Sequence, residues 1–368
     1  MGSIGLITFH SAHNYGAMLQ VYALQEKLRE LNYNVQIINY RNNKIDDQYR
    51  VWNIKGRNPL NLIKKTINSI KYYQLNNNRY INFNCFMNEK LNLSREYTSI
   101  EDLQNEYPKF DIYITGSDQV WNPNIVGELS DAYTLNFGDK KIKKISYAAS
   151  IGTSTIDEKY INDYKNKISK IDRISVREED AKESLSKIIN NKVEVVLDPT
   201  LLLKKEEWEL KIKENNKENE KYILAYVVKQ DEEYKKIVNY LSEKTGLKVI
   251  HFERDNNYSD VLRSAYSDAP LNFINLIKNA EYVVATSFHA TVFSIIFNKK
   301  FFVIPHNQTG SRVTNLLDKL DINDRVVYTL DEFKNRDYNL KIDYEKVNNI
   351  LAKEREKSIN WLKYAIEN

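Results

Sequence analysis

The first forty residues constrain this chain most. Ile4 to Thr8 is a short apolar run ending in a polar loop, Phe9-His10-Ser11-Ala12-His13-Asn14-Tyr15. From Gly16 the period changes, and Ala17, Val21, Leu24, Leu28 and Leu31 fall on one helical face. Asn14 or Tyr15 stands near the N-cap, where asparagine serves well. Val35 to Asn39 then alternates into a second strand. A strand, a helix and a strand in so short a span make a βαβ unit, which implies a parallel sheet.

The rhythm resumes at Asp111 to Ile114, and further strands are expected at Lys144–Ala149, Arg173–Val176 and Val193–Leu197. Each ends in a polar or small residue, and open parallel sheets bind ligands at those carboxyl ends. Between the two stretches, residues 52–106 read as a helical insertion. Asn58-Pro59 starts a helix with Leu60, Ile63, Ile67 and Ile70 on one face and Lys64, Lys65 and Lys71 on the other. Such a helix either packs on the domain surface or lies on anionic lipid.

A Lys- and Glu-rich stretch from Pro199 to Glu220 marks a boundary, giving domains 1–198 and 199–368. A second α/β set follows: strands at Tyr222–Val228, Leu247–Phe252, Tyr282–Ala285 and Phe301–Ile304, with helices between. The tail from Tyr344 is one long polar helix, and the pattern leaves open that it packs back on the first domain. With 368 residues and 42% hydrophobic content, two domains are the natural count. The expected architecture is α/β, two similar domains with a cleft between them.

Composition excludes several functions. Fifty-four basic residues against 50 acidic, net +4, do not make a nucleic-acid-binding surface. The single Cys85 allows neither an internal disulfide nor a cysteine-built zinc site, and fits a reducing cytosol. No basic segment followed by an apolar run opens the chain, so no secretory signal is expected. The least polar window, Tyr282 to Phe297, is too short and too polar to span a bilayer. His10 and His13 have no third ligand near them in sequence, so no metal site is expected. There is no Gly-x-Gly-x-x-Gly after the first strand, no Gly-Lys-Ser/Thr loop and no Gly-x-Ser-x-Gly elbow.

Four places can carry chemistry. In Thr286-Ser287-Phe288-His289, Ser287 or Thr286 caps a helix that directly follows a strand, and such an N-terminus attracts anions. His289 lies in the first turn of that helix, as either a site residue or a hydrogen-bonded core histidine. Arg177 ends a buried strand, as a clamp for carboxylate or phosphate or as an ion-pair partner of Glu178 or Glu179. Arg312 precedes the helix carrying Leu316 and Leu317, facing the cleft edge or simply the surface. In Gly116-Ser117-Asp118 the glycine permits close approach and Asp118 is either a proton acceptor or an Asx-turn residue.

At these residues the sequence resembles the polysaccharide pyruvyl transferase family, from about Gly5 to Arg325. The resemblance is carried by Phe9-His10 with Asn14-Tyr15-Gly16-Ala17-Met18-Leu19-Gln20 and by Gly116-Ser117-Asp118-Gln119-Val120-Trp121-Asn122-Pro123. Ser146-Tyr147-Ala148-Ala149-Ser150, Ile174-Ser175-Val176-Arg177-Glu178, Leu197-Asp198-Pro199-Thr200 and Ser287-Phe288-His289 follow in order. It implies two Rossmann-like domains facing a central cleft, as in GT-B glycosyltransferases. It also implies transfer of pyruvate from phosphoenolpyruvate to two sugar hydroxyls, giving a cyclic ketal and phosphate. Family members act in the cytoplasm on precursors of capsule, cell-wall polymer or exopolysaccharide. Phosphoenolpyruvate is then a co-substrate, no cofactor or metal is needed, and contact with the inner face of the membrane is left open.

By the same resemblance His289 is the acid, and Arg177, Arg312, Ser287 and Thr286 belong to the donor side. Asp118 as base, with Asn14, Tyr15, Gly116, Ser117 and Trp121, belongs to the acceptor side. Many members carry arginine where this chain has Ser287 and glycine where it has Ala290, which bears on the donor contacts. The alternative enzyme is a GT-B glycosyltransferase using a nucleotide-sugar donor, with Asp318 the one acidic candidate near Arg312. A third reading is a non-catalytic sugar-binding protein, compatible with 26 tyrosines.

Overall fold

The computed structural model describes residues 2–52, 59–212, 218, 220–228, 231–305 and 311–368, with side chains for all but 59–64 and 311. Asn58 and Thr309-Gly310 lie outside the described residues, as does part of the expected boundary stretch. The chain divides into two compact units. The first comprises Met1–Arg50, Asn84–Leu203 and Ala352–Asn368, and the second Val51–Phe83 and Lys204–Leu351.

The first unit holds a sheet of seven strands: β1 (Ser3–Ile7), β2 (Asn34–Tyr40), β3 (Leu93–Tyr97), β4 (Ile112–Thr115), β5 (Lys143–Ala149), β6 (Arg173–Val176) and β7 (Val193–Val195). Their order is β3-β2-β1-β4-β5-β6-β7, and every pair is parallel. The order reverses between β1 and β4, which makes that crevice the topological switch point. The second unit holds β8 (Tyr222–Tyr226), β9 (Lys248–His251), β10 (Val261–Ser264), β11 (Tyr282–Ala285) and β12 (Lys300–Val303). They run in the order β10-β9-β8-β11-β12, again all parallel.

The opening βαβ unit folds for the reasons its sequence carries. Asn14 caps the Tyr15–Glu30 helix, its side-chain oxygen accepting from Gly16 N at 2.9 Å and Ala17 N at 3.2 Å. Lys27 and Arg29 sit in the last turn, where cations oppose the helix dipole. Nearly every residue of this helix is buried, so its apolar stripe is anchored on both flanks. In the second unit the Phe288–Ile296 helix is buried along its whole length, with Trp208 and Phe273 packing on Phe293 at ring distances of 5.1 and 6.2 Å.

Two sequence expectations change. Residues 52–106 are not one insertion of the first domain, since Val51–Phe83 groups with the second unit and Leu93–Tyr97 is a strand of the first unit's sheet. The boundary falls after Leu203 rather than Asp198. Ala352–Asn368, which takes in the greater part of the continuous Tyr344–Glu367 helix, groups with the first unit, the packing that the sequence left open. There Ser358 Oγ accepts from Leu197 N at 3.0 Å and Arg355 Nε donates to the Leu201 carbonyl at 2.8 Å. Among the described residues no helix is long and apolar enough to cross a membrane.

Candidate active site

At the carboxyl edge of the first unit's sheet a chain of buried polar groups crosses from β1 to β7. Gln20 Nε2 donates to Thr8 Oγ1 at 3.1 Å, and Thr8 Oγ1 donates to the Ser117 carbonyl at 2.6 Å. Ser117 Oγ donates to Asp198 Oδ2 at 2.9 Å, the same oxygen that takes Arg177 Nη1 at 2.9 Å. Asp198 Oδ1 accepts from Thr200 N at 3.0 Å and Thr200 Oγ1 at 2.6 Å. Arg177 Nε donates to Glu178 Oε1 at 2.8 Å. Four strand ends are thereby tied through one carboxylate, each bond being charge-assisted or sheltered from water.

Asp118 sits on this frame in a strained conformation. Its φ is +85°, a region that non-glycine residues rarely occupy. The neighbouring β5 residue Ala148 is also left-handed, at +52°. The strain is held by bonds on both sides: Ser150 N donates to the Asp118 carbonyl at 3.0 Å, and Trp121 N to the Ser150 carbonyl at 3.2 Å. Asp118 Oδ1 accepts from Gln119 N at 2.8 Å, so the Asx-turn role is present. The side chain is half-buried, and the turn still presents it at the sheet edge.

Beyond Asp118, Asn122 caps the short Pro123–Val126 helix. That helix lines a small groove together with Thr153, Thr155, Asp157 and Tyr160. Amide, hydroxyl, carboxylate and aromatic groups of this kind suit sugar hydroxyls.

Several residues expected at the site have other work. Arg177 is not an open fork: its side chain is 2% exposed and lies against Glu178 and Asp198. Burial opposes its charge, yet Glu178, Asp198 and Asp118 more than offset that and raise its pKa above the ordinary arginine value. The ion pair with Glu178 that the sequence offered is present, and Asp198 is a second carboxylate partner. Trp121 is buried in the core, its indole N–H donating to the Tyr133 carbonyl at 3.1 Å. Tyr15 is buried in the first turn of its helix. Gly116 is a packing glycine: an added Cβ would meet Leu6 Cδ1 at 2.9 Å and Leu24 Cδ2 at 3.2 Å. Ser117 is buried and serves Asp198. Of the acceptor-side set, Asn14 and Asp118 are the two that are only half-buried.

In the second unit, Thr286 and Ser287 join β11 to the Phe288–Ile296 helix. Thr286 Oγ1 accepts from Val228 N at 3.0 Å and so fixes the ends of β8 and β11 together. Ser287 is the N-cap, but its side chain makes no capping bond. Anion-seeking N–H groups of the first turn therefore face the carboxyl edge. His289 lies in that turn, nearly buried, its ring edge-on to Phe288 at 5.2 Å. β12 pairs beside β11, and the helix after it, Ser311–Lys319, carries Arg312 in its first turn and packs on the His289 helix. The structure thus brings Thr286, Ser287, His289 and Arg312 to adjacent elements.

Two buried residues were not assigned roles from sequence. Asp198, read only as part of a motif, is the hub of the first unit's frame; its one local signal is a carboxylate between an apolar strand and a proline. His10, at the end of β1, is fully buried, with Nδ1 3.2 Å from the Thr8 carbonyl oxygen and Nε2 2.9 Å from Asn39 Oδ1. Burial pushes its imidazole pKa down, against the raising effect of those two hydrogen bonds.

Residues 14–308 match the model of the polysaccharide pyruvyl transferase family. No curated protein matches in sequence. Among solved structures, UDP-N-acetylglucosamine 2-epimerase from Rickettsia bellii is similar at a TM-score of 0.51 and 12% identity, over 100% of this chain and 98% of that one. UDP-GlcNAc 2-epimerase from Methanocaldococcus jannaschii, in complex with UDP-GlcNAc and UDP, has a TM-score of 0.49 and 14% identity, over 98% of this chain and 99% of that one. The likeness to the Rickettsia bellii enzyme is one of fold, GT-B-like, with two parallel sheets.

Proposed function

The chain belongs to the polysaccharide pyruvyl transferase family, and from that premise we propose that it uses phosphoenolpyruvate to form a pyruvate ketal on a sugar of a cell-surface glycan precursor. What supports this reading most is the edge of the second unit's sheet. An N-terminus without a side-chain cap, a histidine in its first turn and an arginine in the first turn of the adjoining helix are the parts an anionic enol ether needs.

The chemistry assigns each part a task. The donor's carboxylate and phosphate are held by Arg312, by Ser287 and by the backbone N–H groups of the His289 helix. His289, as an imidazolium, gives its proton to the methylene carbon, and the adjacent carbon becomes electron-poor. A sugar hydroxyl adds there while Asp118 accepts the hydroxyl proton. The carbon–oxygen bond to phosphate then breaks, and the second hydroxyl closes the ring, its proton leaving with the phosphate. The proton taken by Asp118 returns through solvent to His289, so methyl, ketal and inorganic phosphate account for every atom, and the steps so written call on no metal or redox cofactor. Arg177 in this reading is a positioning residue, holding Asp198 and through it the Ser117-Asp118 turn. The groove beside Asn122 belongs to the acceptor.

Thermal unfolding with added ligands tests the reading. Phosphoenolpyruvate is expected to raise the melting temperature through binding to the native state, and Arg312→Ala to abolish the shift. A shift with nucleotide sugars and none with phosphoenolpyruvate would overturn it.

A further inference from the structure

Gln119 follows the strained Asp118, and a short chain of hydrogen bonds fixes which way its amide faces. Asn122 Oδ1 accepts from Asn124 N at 3.0 Å, so that oxygen is held by a backbone donor. The other end of the same amide, Asn122 Nδ2, donates to Gln119 Oε1 at 2.9 Å. An oxygen fixed in that way makes Nε2 the opposite end of the Gln119 amide, with two N–H groups to give. Gln119 is half-buried, and among the described residues no protein group takes the Nε2 protons.

Gly152 closes on this pair of amides. Its φ is +75°, and an added Cβ would run into both Gln119 Oε1 and Asn122 Nδ2. A glycine is what lets the loop after β5 lie so close. The same loop holds the Asp118 turn: Gly152 N donates to Ser150 Oγ at 3.1 Å, and Ser150 N to the Asp118 carbonyl at 3.0 Å. The turn and the oriented amide are therefore braced by one segment.

Asp118 as a carboxylate can only accept a hydrogen bond, and Gln119 Nε2 can only donate one. A sugar hydroxyl does both, so two hydroxyls of one sugar answer the two residues. We propose that Gln119 is an acceptor-binding residue, its Nε2 donating to the oxygen of the second hydroxyl while Asp118 accepts from the first. Asn122 is then a positioning residue, which sets the direction of the Gln119 amide. The assignment rests on the ketal-forming reading above, because ring closure is what requires two hydroxyls held together.

Ligand-observed NMR titration with methyl glucoside, methyl galactoside and methyl mannoside reads diol binding without the donor. The parent protein is expected to bind one or more of the three. Gln119→Glu keeps an oxygen for Asn122 Nδ2 and loses the donor, and Gln119→Met loses the whole amide at similar length. Each is expected to weaken that binding about tenfold, the scale of one hydrogen bond lost. Asn122→Asp still accepts from Asn124 N but turns an oxygen toward Gln119, whose amide reverses to meet it; a loss of the same size is expected. Combined with Gln119→Met, it should cost nothing more than Gln119→Met alone, because both act through one amide. In turnover the loss should fall on the acceptor KM, with the melting shift given by phosphoenolpyruvate unchanged. No glycoside binding by the parent, parental binding in Gln119→Met, or additive losses in the double variant would each overturn the proposal. Glycoside binding lost in the variants of a protein that neither binds nor consumes phosphoenolpyruvate would instead remove the reaction and leave the diol site standing.

Discussion

Arg177 Nη1 stands 2.9 Å from Asp198 Oδ2, with both side chains withdrawn from solvent. The same carboxylate oxygen holds Ser117, whose neighbour Asp118 carries the strained turn. Arg177→Met keeps the volume and removes the charge, leaving Asp198 and Glu178 buried without it. Breaking such a pair by removing one partner costs about 3–5 kcal/mol. Chemical denaturation should show a loss of that size. An Arg177→Met protein as stable as the parent, but with a sharply raised donor KM, would instead make Arg177 the donor clamp.

Asp118→Asn keeps an asparagine that tolerates positive φ and can still accept from Gln119 N. Stability should move by less than about 0.5 kcal/mol. Turnover should fall about 10²–10⁴-fold, the size of a lost general base. Unaltered kcat would leave Asp118 a turn residue only.

His289→Gln retains polarity and similar bulk at the helix N-terminus. Phosphate release from phosphoenolpyruvate in the presence of acceptor should drop to background, while the melting shift with phosphoenolpyruvate persists. Near-parental turnover would remove His289 from the mechanism.

Two buried histidines set an acid limit on stability. Burial lowers the pKa of His10 and of His251 below the ordinary 6.5. Between that value and the lower folded one, the unfolded chain binds protons that the native protein refuses. Stability is therefore complete above about pH 6.5 and falls as pH drops through the window down to the folded values. Denaturant midpoints measured across this range should show the decline, and His10→Asn should flatten part of it. A midpoint that rises on acidification in this range would contradict the assignment.

Much of the fold was legible because buried parallel strands read as apolar runs. Arg173–Val176 and Tyr282–Ala285 are observed with the expected limits, and the Asn14 cap is where an asparagine before a helical period should be. Leu93–Tyr97 and Val261–Ser264 went unseen because both are edge strands, and both are largely half-exposed. The site was legible as a set of loops but not as roles. Arg177, Ser117 and Trp121 stand in the expected segments, yet sequence spacing says nothing about which way a side chain turns at a strand end. Asp198 shows the converse: its partners come from segments 21 and 81 residues away, which no local pattern reveals. Ile67 and Ile70 were visible as part of a helical period, while their exposure needed coordinates.

The central claim is the donor and the product. Purified protein incubated with phosphoenolpyruvate and a lipid-extracted or nucleotide-linked glycan pool, followed by mass spectrometry and phosphate assay, tests it most directly. The account predicts one ketal-linked pyruvate gained per phosphate released, with none in His289→Gln. Glycan extension that consumes a nucleotide sugar and leaves phosphoenolpyruvate intact would contradict it.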